Sequence, residues 1–387
     1  MELSERELEL PTLEFPGIFK RVTADKSIIS LGPGEPDFMT PKPLLDYAKK
    51  ILQKGTHYAN PQGLPELREA IVKKVWKDNR IKTNPENVVV GCGSQELLFG
   101  SMLTALDVND QIIVPSPGYL GYIPPIDLVS ATPVFLKLDE EDNFEINPSR
   151  LRMLIDKKKT KAIILNSPSN PTGTVLSKKL LEEIADIAVD NKLFIFSDEA
   201  YEKILYDNSK HVSIGSLNVM EDYVITFQTF SKSFAMCGFR VGYAVGPKQF
   251  IQDLTKVRHY ITLTAPHPSQ LMAVRALTSN MSPYINKMVK EYKRRRDFLV
   301  KRLNELGMPT PMPKGAFYTF SNIQKYGKSA SVFARKVMNE GKVAFIPGTE
   351  FGKYGEGYIR GSYATKYEKI VEAMERLERF LKKTGKL

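Results

Sequence analysis

Apolar residues in this chain fall into short solid runs, separated by stretches in which they recur every three or four positions. Val88-Val89-Val90, Gln111-Ile112-Ile113-Val114 and Ala162-Ile163-Ile164-Leu165 are solid runs, and residues 193–196, 223–227 and 241–245 follow the same rule. A run without polar alternation predicts a strand buried on both faces. The intervening stretches read as helices. Gly63 to Glu69 opens one, with Pro65 in its first turn and Leu67, Ile71 and Val75 along one face. Residues 95–106 predict a second. Ser177 caps a third, in which Leu180, Ile184, Ile187 and Ala188 keep the helical period. Strands alternating with helices predict an α/β fold, a mostly parallel sheet between two helical layers.

The pattern changes near residue 280. A long polar helix over 285–306 leads to a strand over 315–320, a helix over 331–339, a strand over 343–345 and an amphipathic helix from Lys366. This predicts a smaller α+β unit packed on the α/β one. Leu31-Gly32-Pro33-Gly34-Glu35-Pro36 is too rich in Gly and Pro for an element interior and reads as an ordered loop approaching something. The division expected is 46–280 for the large unit, and 1–45 with 281–387 for the small one. A length of 387 residues suits such a division.

Composition narrows the classes. The chain is 42% hydrophobic and 26% charged, which describes an ordinary globular protein with a large core. Its net charge of +11, spread over this length, attracts phosphates and carboxylates without forming a polybasic tail. Cys92 and Cys237 make no disulfide framework and no metal-spaced pair, so both read as small buried apolar residues. The N-terminal MELSERELELPTLEF lacks the apolar segment of a secretory signal, and no run of apolar residues is long enough to span a membrane. A reducing cytoplasm is the expected location. His57, His211, His259 and His267 show no metal-ligand spacing, so no metal site is expected and none of the four is read as catalytic. Lys157-Lys158-Lys159 and Lys293-Arg294-Arg295-Arg296 read as solvated faces rather than nucleic-acid contacts.

Five segments could carry chemistry. In Ser231-Lys232-Ser233-Phe234-Ala235-Met236-Cys237-Gly238-Phe239-Arg240, a lysine sits among small and aromatic residues. Burial would lower its pKa and free the amine for attack on a carbonyl, although taken alone a loop lysine neutralising a neighbour is the simpler reading. Arg240 follows eight residues on, and Gly238 would let backbone approach a ligand. Asn166 to Gly173 follows a strand, where open α/β sheets bind ligands, and is also good turn sequence. Asp198 ends a buried strand, a costly place for an acid without a cationic partner. Gly91-Cys92-Gly93-Ser94-Gln95 joins strand to helix, where free N–H groups favour a phosphate. Arg360 lies in an apolar strand, suited to a carboxylate or to a salt bridge between domains.

Taken together these residues resemble the class I and II aminotransferases of fold type I, which use pyridoxal phosphate. LGPGEPDFMTP, YANPQGLPELREAI, NSPSNPTG, SDEAY, SKSFAMCGFR, GAFY and IPGTEFG with YIRGSYA are similar to that family's motifs, in its order, from residue 31 to 364. The C-terminal stretch is most similar to archaeal aromatic-type and broad-range aspartate-type members. The resemblance implies that Lys232 holds the cofactor and, once freed, moves the substrate proton. It implies that Asp198 pairs with the pyridine nitrogen, that Tyr201 and Asn170 donate to the phenolic oxygen, and that Tyr119 stacks on the ring. Gly93, Ser94 and Gln95, with Arg240 and Thr229 or Ser231, would hold the phosphate. Tyr58 would reach that phosphate from the neighbouring subunit of a homodimer. Arg360 would grip the substrate α-carboxylate beside Gly34 and Asn170, with the N-terminal segment covering the substrate.

The implied activity is a ping-pong transfer of an amino group to a 2-oxo acid, expected to be 2-oxoglutarate. Aromatic amino acids, aspartate and glutamate are the candidate donors. Some aspartate-specific bacterial members carry lysine where Ser94 stands, which argues against strict dicarboxylate specificity. Tyr119 replaces the tryptophan of some members and keeps a stacking face. Lys20 and Arg21 are candidates for a second substrate-binding cation by position alone. A carbon–sulfur β-lyase on the same fold is the alternative chemistry. A DNA-binding regulator is a third reading, weakened because the resemblance leaves no helix-turn-helix ahead of residue 31.

Overall fold

The structure is a computed structural model, and it describes Ser4 and residues 10–385. The reading of the first nine residues as free of a signal segment lies almost wholly outside the described residues. Twelve strands are described: β1 (Ile29–Ser30), β2 (Val88–Gly91), β3 (Gln111–Ser116), β4 (Thr132–Lys137), β5 (Thr160–Asn166), β6 (Phe194–Asp198), β7 (Val224–Thr229), β8 (Gly242–Val245), β9 (Tyr318–Asn322), β10 (Val343–Ala344), β11 (Ile346–Pro347) and β12 (Tyr358–Ser362). Seven form one sheet in the order β2-β8-β7-β6-β5-β3-β4. All pairings in it are parallel except those of β8, which runs against β2 and β7.

Alternation along each strand explains why the runs are solidly apolar. Ile113, Ile163 and Ile195 pack with Ile184 and Ile187 of helix Lys178–Asn191 on one face. Their neighbours Ile112, Ile164 and Phe196 pack on the other face with Leu97, Leu98 and Leu254, from helices Ser94–Ala105 and Lys248–Thr262. Successive side chains point to opposite faces, so a sheet covered twice needs apolar residues at every position. Each such burial contributes roughly 1.5–3 kcal/mol, enough in sum to hold a polar site at the sheet's edge.

Several elements escaped the sequence pattern, helices Lys42–Ile51, Lys248–Thr262 and His267–Thr278 among them. β4 holds Pro133 and is only partly buried, as an edge strand tolerates. Helix Phe15–Ala24 carries Pro16 in its first turn and Gly17 beside it, which mimic loop sequence although the proline favours a helix start. The 343–345 run is split between β10 and β11.

The C-terminal third adds the antiparallel sheet β11-β12-β9, helix Ser282–Glu305 and helix Tyr367–Lys383. Chain near the N-terminus is tied into it: β1 pairs with β10, Leu31 N–H donates to Ala344, and Ser362 N–H donates to Leu31. The basic run in helix Ser282–Glu305 is not uniformly solvated. Arg295 and Arg296 are buried, pairing with Asp37 at 2.9 Å and Asp207 at 2.6 Å. Arg295 lies between Asp37 and Tyr363 and Arg296 between Pro313 and Tyr206, partners from distant segments that a charge count cannot reveal. Among the described residues, no helix is long and apolar enough to cross a membrane.

Candidate active site

Five strands running the same way end at one rim, at Gly91, Ser116, Asn166, Asp198 and Thr229. β8 runs the other way, so its first residue, Gly242, pairs with both Gly91 and Thr229 at that rim. Arg240, two residues earlier, is thereby delivered to the same place. After β4 the chain returns to the far side of β3 to form β5, which reverses the strand order there. Open α/β sheets bind ligands at such a reversal.

A cavity of about 280 Å³ opens at this rim, near the small end of ligand sites at roughly 300 Å³ and above. Lys232, Asp198, Tyr201, Asn170, Tyr119 and Arg360 line it, as do Ser94, Gln95, Thr229, Ser231, Arg240 and Gly34. Gly93 stands at its edge against Arg240. Tyr58 does not line it and is exposed on the surface. Lys20 and Arg21 are exposed on helix Phe15–Ala24 and do not line the cavity either.

Lys232 Nζ donates to Gly34 O at 2.5 Å and faces no carboxylate at hydrogen-bonding distance. Burial pushes its ammonium below the ordinary lysine range. Asp198 is fully enclosed. Tyr122 Oη donates to its Oδ2 at 2.8 Å and Ala200 N–H to its Oδ1 at 3.2 Å. Desolvation nevertheless pushes its carboxyl up to about 6. Tyr201 shares a hydroxyl hydrogen bond of 2.8 Å with Tyr318, and burial pushes it upward.

Arg360 is buried, donating to Asn170 Oδ1 at 3.1 Å and to Gly32 O at 2.5 Å. It lies 4.5 Å from the Tyr318 ring and 4.8 Å from the Phe351 ring, and its Nε is buried without a partner. Its hydrogen bonds go to neutral oxygens. It is therefore no interdomain salt bridge but a desolvated cation with donor capacity to spare.

The phosphate-like corner is shaped by glycine. Gly93 caps helix Ser94–Ala105 at φ 90° and ψ 169°, a region essentially restricted to glycine. A Cβ there would lie 2.7 Å from Arg240 Nη2, and one on Gly242 would lie 2.8 Å from Ser94 N. Arg240 is fixed by Cys237 O at 3.0 Å and Cys92 O at 3.2 Å, leaving it beside the helix N-terminus. Gly238 plays no such part, since nothing lies within 4 Å of a Cβ built on it. The cysteines are also not core residues: both are half-buried, and Cys237 lines a cavity next to Lys232. Thr229 Oγ1 accepts from Ser231 N–H at 3.2 Å and donates to Ser231 Oγ at 3.0 Å.

These features suit a planar, phosphorylated, electron-poor ring. The cradle needs its glycines, the buried carboxylate matches a ring cation, and the unpartnered Arg360 Nε matches a carboxylate. Residues 26–377 match the family model for aminotransferase class I and II. The chain belongs to that family. It is 43% identical over 385 residues to an aspartate aminotransferase of Pyrococcus abyssi, covering 99% of each chain. It is 42% identical to aromatic-amino-acid aminotransferase 2 of Thermococcus litoralis, again over 99% of each. Its fold matches the crystal structure of an aromatic aminotransferase from Pyrococcus horikoshii with a TM-score of 0.91 and 43% identity, over 96% of this chain and 100% of that one. It is thus a pyridoxal-phosphate-dependent transaminase of fold type I, and these names favour amino transfer over lyase chemistry.

Three lining residues, Asn166, Tyr318 and Phe15, had no role in the sequence reading, and neither did Tyr122, which lies behind the cavity and holds Asp198. The chain turns between Tyr119 and Tyr122, with Tyr122 N–H donating to Tyr119 O at 3.2 Å, which three-residue spacing outside a helix did not announce. Asn166 Oδ1 accepts from Asn170 N–H at 2.7 Å and its Nδ2 donates to Asp198 O at 3.0 Å, locking two site segments together.

Gly93→Ala is expected to weaken cofactor binding at least tenfold while leaving the cofactor-free fold intact. Forcing alanine into that backbone region costs about 1–3 kcal/mol, and the methyl displaces Arg240. Spectrophotometric titration of the cofactor-free variant with pyridoxal phosphate measures this directly. Wild-type affinity would show that the cradle lies elsewhere.

Proposed function

We propose that this transaminase takes its amino group from L-amino acids with aromatic or large apolar side chains, and passes it to a 2-oxo acid, 2-oxoglutarate in the first instance, in a ping-pong cycle. The observation that carries this reading is the cavity's charge. Its lining cations are Lys232, Arg240 and Arg360, and each already has a place in the chemistry. Its apolar and aromatic wall includes Phe15, Tyr119, Leu120 and Tyr318, and the apolar part of an adjoining cavity is Phe15, Ile18, Phe19, Pro33 and Ile346. No described lining residue offers a fourth cation to a donor's side-chain carboxylate.

When bound, pyridoxal phosphate supplies a ring that withdraws electrons from the substrate Cα. The chain's own groups do the rest. Arg240, Gly93, Ser94 and Gln95, with Thr229 and Ser231, anchor the phosphate. Asp198 would meet the ring nitrogen, Tyr119 would stack on the ring, and Tyr201 and Asn170 would address its phenolic oxygen. Lys232 holds the cofactor and, with its ammonium disfavoured by burial, takes a proton from the substrate Cα and delivers it again. Arg360 orients the α-carboxylate beside Gly34 and Asn170.

Helix Phe15–Ala24 brings Phe15 to the cavity mouth, and Glu350 accepts the Glu14 and Phe15 N–H groups at 2.9 and 3.1 Å, pinning that helix start. This supports an N-terminal segment that covers the substrate and excludes water. The proposed architecture is a large unit of 46–280 and a small one of 1–45 and 281–387. It works as a cytoplasmic homodimer in which exposed Tyr58 reaches the neighbouring subunit's phosphate.

Single amino acids mixed with the yellow holoenzyme, with no acceptor present, test the donor class. Phenylalanine and tyrosine are expected to remove the visible band at least tenfold faster than aspartate. A faster rate with aspartate overturns the assignment.

A further inference from the structure

The turn after β6 alternates between two environments. Asp198 and Tyr201 face the cavity, whereas Glu199 and Glu202 point away into a buried polar cluster. Glu199 Oε1 accepts from Ser197 Oγ at 3.0 Å and Ser213 Oγ at 2.6 Å. Its Oε2 meets His211 Nε2 at 2.9 Å, Asn79 Nδ2 at 3.2 Å and Gln228 Nε2 at 3.3 Å. Glu202 Oε2 accepts from the same two amides at 2.7 and 2.9 Å, and its other oxygen pairs with the Lys74 ammonium.

Charge counting shows what holds this cluster together. Two carboxylates face one ammonium, so the interior is neutral only when His211 is protonated. A net charge buried here is expensive. Burial opposes the imidazolium and its Nδ1 has no partner, but Glu199 and then Glu202 outweigh that and raise its pKa above the ordinary 6.5. The other ionisable groups facing the cluster are Lys203 with its partner Asp78, and Tyr243 from β8. Glu199 acts in turn on Asp198, raising its proton affinity through space. Amide and ammonium donors already fill the space between the carboxylates, so the group reads as a proton-sharing anchor rather than a cation cage.

We propose that His211 and Glu199 are positioning residues, whose opposite charges keep this cluster neutral and thereby fix the orientation and charge that Asp198 presents to the cofactor ring. The proposal rests on the reading of Asp198 given above. It makes a sign-specific claim. His211→Gln leaves the cluster one unit negative, Glu199→Gln leaves it one unit positive, and the double variant is neutral again.

The test is a pH titration of the visible band of each holoenzyme. His211→Gln is expected to move the midpoint up by about one unit and Glu199→Gln to move it down by a similar amount, a tenfold change in proton affinity each way. The double variant is expected to return close to wild type. Loss of packing alone would shift both single variants in the same direction and make the double variant worse, and that result overturns the proposal. If the single variants do not fold, the double variant decides: a midpoint near wild type supports the proposal, and one displaced by a unit or more overturns it.

Melting of the cofactor-free proteins separates this inference from the reading beneath it. A histidine whose pKa is raised on folding stabilises below about 6.5 and loses that contribution as pH climbs through the raised value. The melting gap between wild type and His211→Gln is therefore widest below that pH and narrows above it; a gap that ignores pH contradicts the charge balance. If Asp198→Asn abolishes the spectral titration while the cluster variants leave it untouched, the proposal falls alone. If Asp198→Asn also leaves it untouched, the reading of Asp198 falls with it.

Discussion

Lys232→Ala is expected to cut turnover by at least about 10²–10⁴-fold, the usual contribution of a positioned general acid–base. Loss of the covalent hold on the cofactor adds to that. The sharper comparison is Lys232→Arg. Arginine keeps length, positive charge and the capacity to donate to Gly34 O, where Lys232 donates at 2.5 Å. It does not deprotonate in proteins, so it can neither hold the cofactor nor accept a substrate proton. If Lys232 were a strut securing the N-terminal loop, arginine would retain most activity. The chemistry argued here requires both variants to be equally inactive in single-turnover mixing with an amino acid. Activity within tenfold of wild type in either variant removes Lys232 from the mechanism.

Much of the architecture was readable because the sheet is covered on both faces. That condition writes solid apolar runs into β2, β3, β5, β6, β7 and β8, and each run is short and bounded. It fails for β4, an edge strand with Pro133 and partial exposure, and for helix Phe15–Ala24, whose proline and glycine resemble a loop. The site itself was legible through residues that break the pattern. Asp198 at the end of an apolar strand and Lys232 among aromatics are costly unless they do something, and the fold brings both into one cavity.

Arg360 followed the same logic, with an unpartnered Nε where a salt bridge could have been. Sequence could not show which side of a turn each residue faces. Glu199 and Glu202 look like surface acids in the string SDEAYE, yet both are buried, and their partners Asn79, His211 and Gln228 come from three distant segments. Such partnerships are set by packing, and no local spacing encodes them. Tyr318 is similar: its motif was visible, but its contact with Tyr201 depends on how β9 meets the large sheet, and that with Arg360 on the pairing of β9 with β12.

Asp198→Asn is expected to make the cofactor-free protein more stable at pH 8 while crippling the enzyme. What decides this is the carboxyl's proton affinity. Folding raises it from 3.8 to about 6, because desolvation outweighs the hydrogen bonds from Tyr122 and Ala200. For a group raised on folding, the contribution to stability is intact below the unfolded value and is lost as pH rises through the folded one. Between about pH 4 and pH 6 the cofactor-free chain therefore loses on the order of 3 kcal/mol by ionising Asp198.

Asparagine has the same shape and carries no charge, and the Tyr122 hydroxyl can turn to accept from its amide. Calorimetry should show the variant melting several degrees above wild type at pH 8 and level with it at pH 4. Adding pyridoxal phosphate reverses the order, since ligand stabilisation grows with affinity and only the carboxylate answers a ring cation. A variant no more stable at pH 8 than at pH 4, relative to wild type, would mean that Asp198 is not held at a cost. The expected pair of results would show an acid that destabilises the cofactor-free protein and is matched only when the cofactor is in place.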